Sequence, residues 1–308
     1  MTSTKRPSGS AWRLRPQLRV DVAGYLFITP WLVHFLVLIA AAMIHSLRLS
    51  FGETDLFTGY TFVGLRNYAR MLDDRLFWQA LRVTAIYTFT IVPLNVMLAL
   101  MIAMLLNRQL VARGLWRLLF YTPAVVQGAA VAVLWGYVLN PRFGLLNQGL
   151  AFFGINGPRW LYSETWALPG IILMGLWGAG SAMLLYLAGL QGIPTQLYEA
   201  ADIDGANGWH RFWSVTLPML TPTIFFNLVL NIIGSFQVFT QSYVLTAGGP
   251  NNATLTMVLY LYRRAFVHFD FGYAAALAWV LFLIILGFTV LVVRSADRWV
   301  HYEGAVRS

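Results

Sequence analysis

Apolar and polar positions fall along this chain in long blocks rather than in short amphipathic periods. Six blocks stay apolar for about 20 residues or more, the length a helix needs to cross the hydrocarbon core of a bilayer. They lie at residues 24–46, 81–106, 115–139, 166–190, 219–243 and 271–293. This pattern predicts an all-α, polytopic membrane protein with six transmembrane helices. The first block offers small residues at Ala40, Ala41 and Ala42. It is longer than the roughly 7–15 apolar residues of a cleaved signal, so it reads as a retained first span. Residues 47–80 read as a small exposed cap between spans 1 and 2. Residues 199–222, EAADIDGANGWHRFWSVTLPMLTP, interrupt the pattern between spans 4 and 5 with three acids, two glycines and two prolines.

Composition agrees with the block pattern. The 308 residues are 58% hydrophobic and 11% charged, with a mean hydropathy of +0.65. Soluble domains carry about 25% charged residues, because even a large core leaves a surface to hydrate. The formal charge of +9 does not point to nucleic acid. Five of the 21 basic residues (Lys5, Arg6, Arg13, Arg15 and Arg19) cluster before the first block, and no basic face interleaved with aromatics follows. A basic cluster beside a first span marks the cytoplasmic side. Arg108, Arg113 and Arg117 between spans 2 and 3, and Arg294, Arg298 and Arg307 after span 6, agree with it. Both termini are therefore expected in the cytoplasm. The opposite side also holds Arg48, Arg66, Arg70 and Arg75, mixed with Glu53, Asp55, Asp73 and Asp74, so the N-terminal cluster decides the orientation.

There is no cysteine, which excludes disulfides, thiol catalysis and cysteine metal sites. Lys5 is the only lysine, so the chain has no GxxxxGK[ST] loop and cannot be a Walker-type ATPase by itself. The spans hold no Asp, Glu, Lys or Arg near their middles; Arg82, Arg117 and Asp270 lie near ends. An ion-coupled transporter needs an ionisable relay in the membrane, and an intramembrane hydrolase needs paired acids or a nucleophile with its base. His34, alone in mid-span, reads as a packing residue. The polar groups inside the spans are neutral. Asn227, Asn231 and Ser235 recur every four residues in span 5, and Trp177 and Ser181 do so in span 4. That spacing puts each set on one helix face. Interhelical hydrogen bonding and a path for a neutral, hydroxyl-rich solute beside an aromatic platform both fit. The missing buried cation argues against an anionic solute.

The polar stretch also has a local reading. Thr195, after Pro194, can cap a helix over QLYEAADI. Asp204-Gly205 stops it, with Gly205 suited to a left-handed position. Asn207 can cap a second helix from Gly208 or Trp209, and Pro218 and Pro222 suit re-entry into span 5. Glu199, Asp202 and Asp204 against Arg211 leave the loop at −2. A solvated surface helix and an acidic docking element for a basic groove both remain open.

The spacing EAA-xx-DGA-x5-F-xx-V-x-LP-xxx-P resembles the EAA signature of ABC importer permeases. Glu199, Ala200, Ala201, Asp204, Gly205, Ala206, Phe212, Val215, Leu217, Pro218 and Pro222 fill it without departure. FVGLRNYARML (62–72), WGYVLNPRFGLLNQ (135–148) and SYVLTAGGPNNAT (242–254) extend the resemblance to the carbohydrate-importing, maltose-type first-permease branch. Residues 1–20 fall outside it as a basic cytoplasmic tail. Residues 21–308 would be a permease domain, with a coupling loop at about 192–218.

The resemblance implies a helix between spans 4 and 5 seated in a cleft of a cytoplasmic ATPase. Glu199 would meet basic groups there, Gly205 would make the turn, and Ala200, Ala201 and Ala206 would let the helix seat, beside Asp204. It also implies sugar contacts midway along spans 4 and 5. Trp177, Gly178, Ser181, Asn231, Gly234 and Ser235 fall at that depth, with Asn227 as a neighbour. Gly248, Gly249 and Pro250 would form an outer turn near a docked binding protein. The implied function is the permease subunit of an ATP-driven importer for a sugar, a di- or oligosaccharide, in the inner membrane of a prokaryote. Its partners would be a second homologous permease, two P-loop ATPases and an extracytoplasmic solute-binding protein. ATP and Mg would sit on the ATPases, and no cofactor or metal on this chain. Two alternatives are a polyol or glycerol-phosphate importer and, from another class, an ATP-independent channel or facilitator.

Overall fold

The computed structural model describes residues 16–55, 59–126 and 128–301, with the backbone alone for 16–23, 54 and 55. The basic cluster Lys5, Arg6, Arg13 and Arg15, the side chain of Arg19, and Arg307 lie outside the described residues. Helix α1 starts at Pro16, carries the apolar run Gly24–Ser50, and passes through a π turn at Phe35–Ala40. Two strands, β1 (Gly52–Asp55) and β2 (Gly59–Phe62), and a short helix α2 (Arg66–Asp73) follow. Next come α3 (Arg75–Asn107), α4 (Arg113–Val125), α5 (Gly128–Val138) and α6 (Leu145–Phe152). Helices α7 (Ala167–Trp177) and α8 (Gly180–Gly192) precede the short α9 (Thr195–Ile203). The chain ends with α10 (Gly208–Phe236), α11 (Thr240–Thr246), α12 (Met257–Tyr262) and α13 (Phe271–Trp299).

Among the described residues, four helices (α1, α3, α10 and α13) are long and apolar enough to cross a membrane unaided. The blocks expected as spans 3 and 4 are not single helices. The third is divided into α4 and α5. The fourth bends by 44° between α7 and α8, at Gly178 and Ala179. Glycine holds a helix weakly, so Gly178 and Gly180, on either side of Ala179, make a natural hinge. The expected fifth span also shifts toward the N-terminus. Asn207 starts α10 early, and the helix ends at Phe236 rather than near residue 243. The Val238 carbonyl in the break after it accepts a bond from the buried Thr256 hydroxyl at 2.9 Å. That bond satisfies a group a continued helix would have used, and the break is therefore stable inside the protein.

The all-α expectation needs one correction. β1 and β2 pair antiparallel, with Gly52 opposite Phe62 and Asp55 opposite Gly59. The expected exposed cap is also tied down. Asn67 is 2% exposed and donates to the Ser50 and Gly52 carbonyls at 3.0 and 2.9 Å. Tyr68 donates to Ser50 Oγ at 2.7 Å.

Small residues set the packing around the middle of the molecule. Ala99 and Ala103, one turn apart on α3, are fully buried with Ala182, Met183 and Tyr186 of α8. Such small-to-small contacts let helices approach closely where no hydrophobic effect drives them together. Gly180 approaches α4 so closely that a Cβ there would lie 1.9 Å from the Phe120 carbonyl oxygen.

Candidate functional site

A cavity of about 550 Å³ opens between α3, α7, α8 and α10 and the break that follows α10. Asn227, Asn231, Gly234 and Ser235 line it from α10, and Gly178 and Ser181 line it from the α7–α8 hinge. The three polar residues spaced by four thus share one face that looks into open space. They do not hold helices together. Asn227 Nδ2 donates to the Thr223 carbonyl at 3.0 Å, Asn231 Nδ2 to the Asn227 carbonyl at 2.8 Å, and Ser235 Oγ to the Ile232 carbonyl at 3.0 Å. All of these acceptors lie on the same helix as their donors.

Trp177 does not join this lining. The hinge turns its ring onto Trp135, with centroids 6.1 Å apart at 65°. Five polar liners escaped the sequence reading: Tyr87, Asn95, Gln237, Thr240 and Gln241. Asn95 carried a usable signal, since it is a lone carboxamide inside an apolar block. Gln237, Thr240 and Gln241 reach the cavity only because α10 breaks, which no periodicity announces. Among the described residues the lining holds no charged side chain. It offers carboxamides, hydroxyls and bare glycine backbone, groups that bond neutral polar ligands from several directions.

The polar loop between α8 and α10 is folded by its own residues. Pro194 rather than Thr195 occupies the N-cap of α9, with no side-chain cap bond. At the other end the left-handed turn is present. Gly205 has φ +76, its N–H donates to Asp202 and the Ala206 N–H donates to Ala201, the paired bonds of a Schellman stop. Asn207 Oδ1 accepts from the His210 N–H at 2.9 Å and opens α10. Arg211 pairs with Asp202 at 2.7 Å, clipping the two arms together. Tyr198 and Thr216 share a further bond at 3.0 Å. A π turn at Phe212–Thr216 carries α10 into Leu217-Pro218, where proline offers no N–H. Glu199, Ala200, Asp204 and Gly205 are exposed, and Ala201 and Ala206 are half-buried. Apolar side chains stand out beside them: Ile203 is 87% exposed and Trp209 68%.

The loop after α11 is compact. Gly248 has φ +84 and is buried, with Arg263 Nη2 2.9 Å from where its Cβ would be. Gly249-Pro250 is cis, and both residues are half-buried. Thr254 Oγ1 donates to the Gly249 carbonyl at 2.8 Å, and Arg263 donates to the Ala247 carbonyl. Of the three residues expected to form an outer turn, only Gly249 and Pro250 therefore reach the surface.

A polar cluster absent from the sequence reading lies where α3, α12 and α13 meet. Asp74 caps α3 and accepts from the Tyr273 hydroxyl at 2.6 Å and from the Tyr260 hydroxyl. Arg264 Nε donates to Tyr260 Oη at 2.8 Å, and Arg264 Nη2 lies 3.5 Å from Asp74. Burial pushes the Asp74 carboxyl pKa up. The two hydroxyl bonds, the Leu76 N–H and the Arg264 charge outweigh burial and hold it below the ordinary aspartate value. Burial and the Asp74 bond push Tyr260 up to about 12.

The helical core, hinge and internal polar cavity define a membrane-embedded permease. Residues 95–300 match the family of binding-protein-dependent transport system inner membrane components. The chain is 43% identical to the probable ABC transporter permease protein YesP of Bacillus subtilis, over 92% of this chain and 93% of that one. It is 37% identical to the trehalose/maltose transport system permease protein MalF of Thermococcus litoralis, over 87% and 91%. In fold it resembles a solved bacterial ABC transporter that imports the acidic polysaccharide alginate. That likeness has a TM-score of 0.78 at 23% identity and covers 93% of this chain and 99% of that one. The chain belongs to the binding-protein-dependent transport system inner membrane component family.

Proposed function

We propose that this chain is the permease subunit of an ATP-driven ABC importer that passes a di- or oligosaccharide through the cavity between α3, α7, α8 and α10. The neutral lining carries the reading. A volume of about 550 Å³ lies within the range of about 300–1,000 Å³ typical of small-molecule sites. Amide and hydroxyl groups without charge suit a sugar better than a phosphate, whose charge this chain's part of the lining leaves unbalanced. The trehalose/maltose role of the Thermococcus relative points the same way.

Counting each divided pair as one span gives six spans and so puts both termini on one side, which the basic N-terminal cluster makes the cytoplasmic one. On that topology α9 is the coupling helix, with Glu199 meeting a basic cleft of an ATPase subunit. The exposed apolar side chains of Ile203, Trp209 and Trp213 favour docking over a merely solvated loop, since such side chains cluster at contact surfaces. ATP and Mg would sit on two ATPase partners, and a second permease would complete the pore. A solute-binding protein would deliver the sugar to the outer face, at the turn containing Gly249 and Pro250. An ATP-independent facilitator leaves this loop without a task.

Purification of the full chain from its native membrane in mild detergent, followed by uptake into vesicles with and without ATP, tests the proposal. Recovery of a P-loop ATPase and uptake of a labelled disaccharide only with ATP are expected. Recovery of the chain alone, with ATP-independent uptake, would establish the facilitator instead.

A further inference from the structure

The turn from α3 into α4 concentrates positive charge with no acid to balance it. Arg113 and Arg117 lie four apart on one face of α4, a spacing at which like charges repel. Both reach the same acceptor. With its amide set so that the oxygen faces these donors, Gln191 at the end of α8 accepts from Arg113 Nη2 and Arg117 Nη2, each at 3.0 Å. No carboxylate lies within 4.0 Å of either guanidinium among the described residues. The buried Nε atoms of both arginines have no hydrogen-bond partner among the described residues. Helix α4 itself adds to the imbalance. It opens after Ala112 without a side-chain cap and without an acid in its first turn, where helices favour negative charge.

One neutral oxygen cannot satisfy two forked cations, so the corner is built for an anion. The setting indicates which anion. Between and beyond the arginines, α4 turns outward Leu115, Trp116, Leu118 and Leu119, exposed by 55, 46, 60 and 54%. These are side chains for lipid, and they include a tryptophan, a residue that favours the membrane interface. Both arginines sit at the start of the third apolar block, where a span meets the lipid headgroups. Paired guanidinium forks match phosphate oxygens in geometry, and basic pockets between spans at this depth hold anionic headgroups.

We propose that Arg113, Arg117 and Gln191 form a binding site for the phosphate of an anionic phospholipid. The site adjoins the coupling loop, because Gln191 lies four residues before Thr195, the first residue of α9. A bound headgroup would fix the end of α8 from which that loop departs.

The test uses the full chain, purified with the subunits that accompany it, in nanodiscs of phosphatidylglycerol mixed with phosphatidylcholine. Bound lipid is counted by native mass spectrometry after release into detergent. Wild type should retain phosphatidylglycerol over phosphatidylcholine. Arg113→Gln and Arg117→Gln should each lower that retention about fivefold, and the exposed neighbour Arg108→Gln should not. Gln191→Glu provides the check that does not weaken the fold. It places a carboxylate between the guanidiniums, and should expel the lipid while thermal stability holds or rises. Undiminished phosphatidylglycerol on Gln191→Glu and on the double arginine variant would overturn the proposal. So would stabilisation by inorganic phosphate in detergent that phosphatidylglycerol does not reproduce, which would assign a soluble anion. Loss of an accompanying protein subunit from Gln191→Glu with lipid retained would assign the corner to that subunit instead.

Discussion

The carboxylate of Asp74 and the hydroxyl of Tyr273 lie 2.6 Å apart across 199 positions of sequence. Asp74 also caps α3, and Asp270, which caps α13, pairs with Arg70 at 2.8 Å. Arg70 in turn stacks on the Tyr273 ring, 4.4 Å from its centre. The starts of the two long helices are therefore joined through a single polar cluster.

This cluster should make stability fall in acid. The folded-state pKa of Asp74 is depressed, so its contribution is complete above the unfolded aspartate value of about 4 and is lost as pH falls through the lower folded value. Asp74→Asn keeps an acceptor for the cap and removes the charge. It should cost about 1.5–3 kcal/mol at neutral pH, and the difference from wild type should shrink below about pH 4. Thermal unfolding in detergent across pH measures both. A pH-independent difference would show that the charge is not what the cluster uses.

The cavity can be filled without disturbing the fold. A Cβ at Gly234 meets nothing within 4 Å, and the residue lines the cavity. Gly234→Leu should leave the melting temperature within a few degrees of wild type, a change of about 0.5 kcal/mol or less, while solute uptake falls at least tenfold. Unchanged uptake would place the solute path elsewhere.

Gly180→Ala should do the reverse. Its Cβ would sit 1.9 Å from the Phe120 carbonyl oxygen, so α4 and α8 must separate. A loss of about 1–3 kcal/mol is expected, read as a lower melting temperature of the purified chain.

Gly205→Val forces a β-branched side chain to φ +76 in the Schellman stop. The strain is about 1–2 kcal/mol, enough to unwind the end of α9. Copurification of the ATPase should weaken, and Gly205→Asn, which tolerates the left-handed region, should restore most of it.

Glu199→Lys tests the coupling role without strain, because the side chain is exposed. Against a basic cleft the reversal costs several kcal/mol, and ATP-dependent uptake should fall at least tenfold. Uptake that persists at the wild-type rate would return α9 to the reading of a solvated surface helix.

The cavity shows how far sequence reasoning reaches. Asn227, Asn231 and Ser235 were legible as one face because helical spacing is a local property. Trp177 was placed on the same logic, but the hinge at Gly178 breaks the period and its ring packs on Trp135 outside the cavity lining. Gln237 and Gln241 were invisible for the opposite reason. They enter the lining through the break after α10, held by Thr256, eighteen residues from the Val238 carbonyl it bonds.

The sequence alone determined the apolar blocks, the absence of a nucleotide loop, the Gly205 turn and the Asn207 cap. Each follows from interactions within a few residues or from transfer of whole side chains out of water. Only the tertiary structure decided which face of α10 meets open space, where spans 3 and 4 divide, and that Asp74 joins Tyr260, Tyr273 and Arg264. Those outcomes depend on packing between helices remote in sequence, where one small residue sets how closely two backbones can approach.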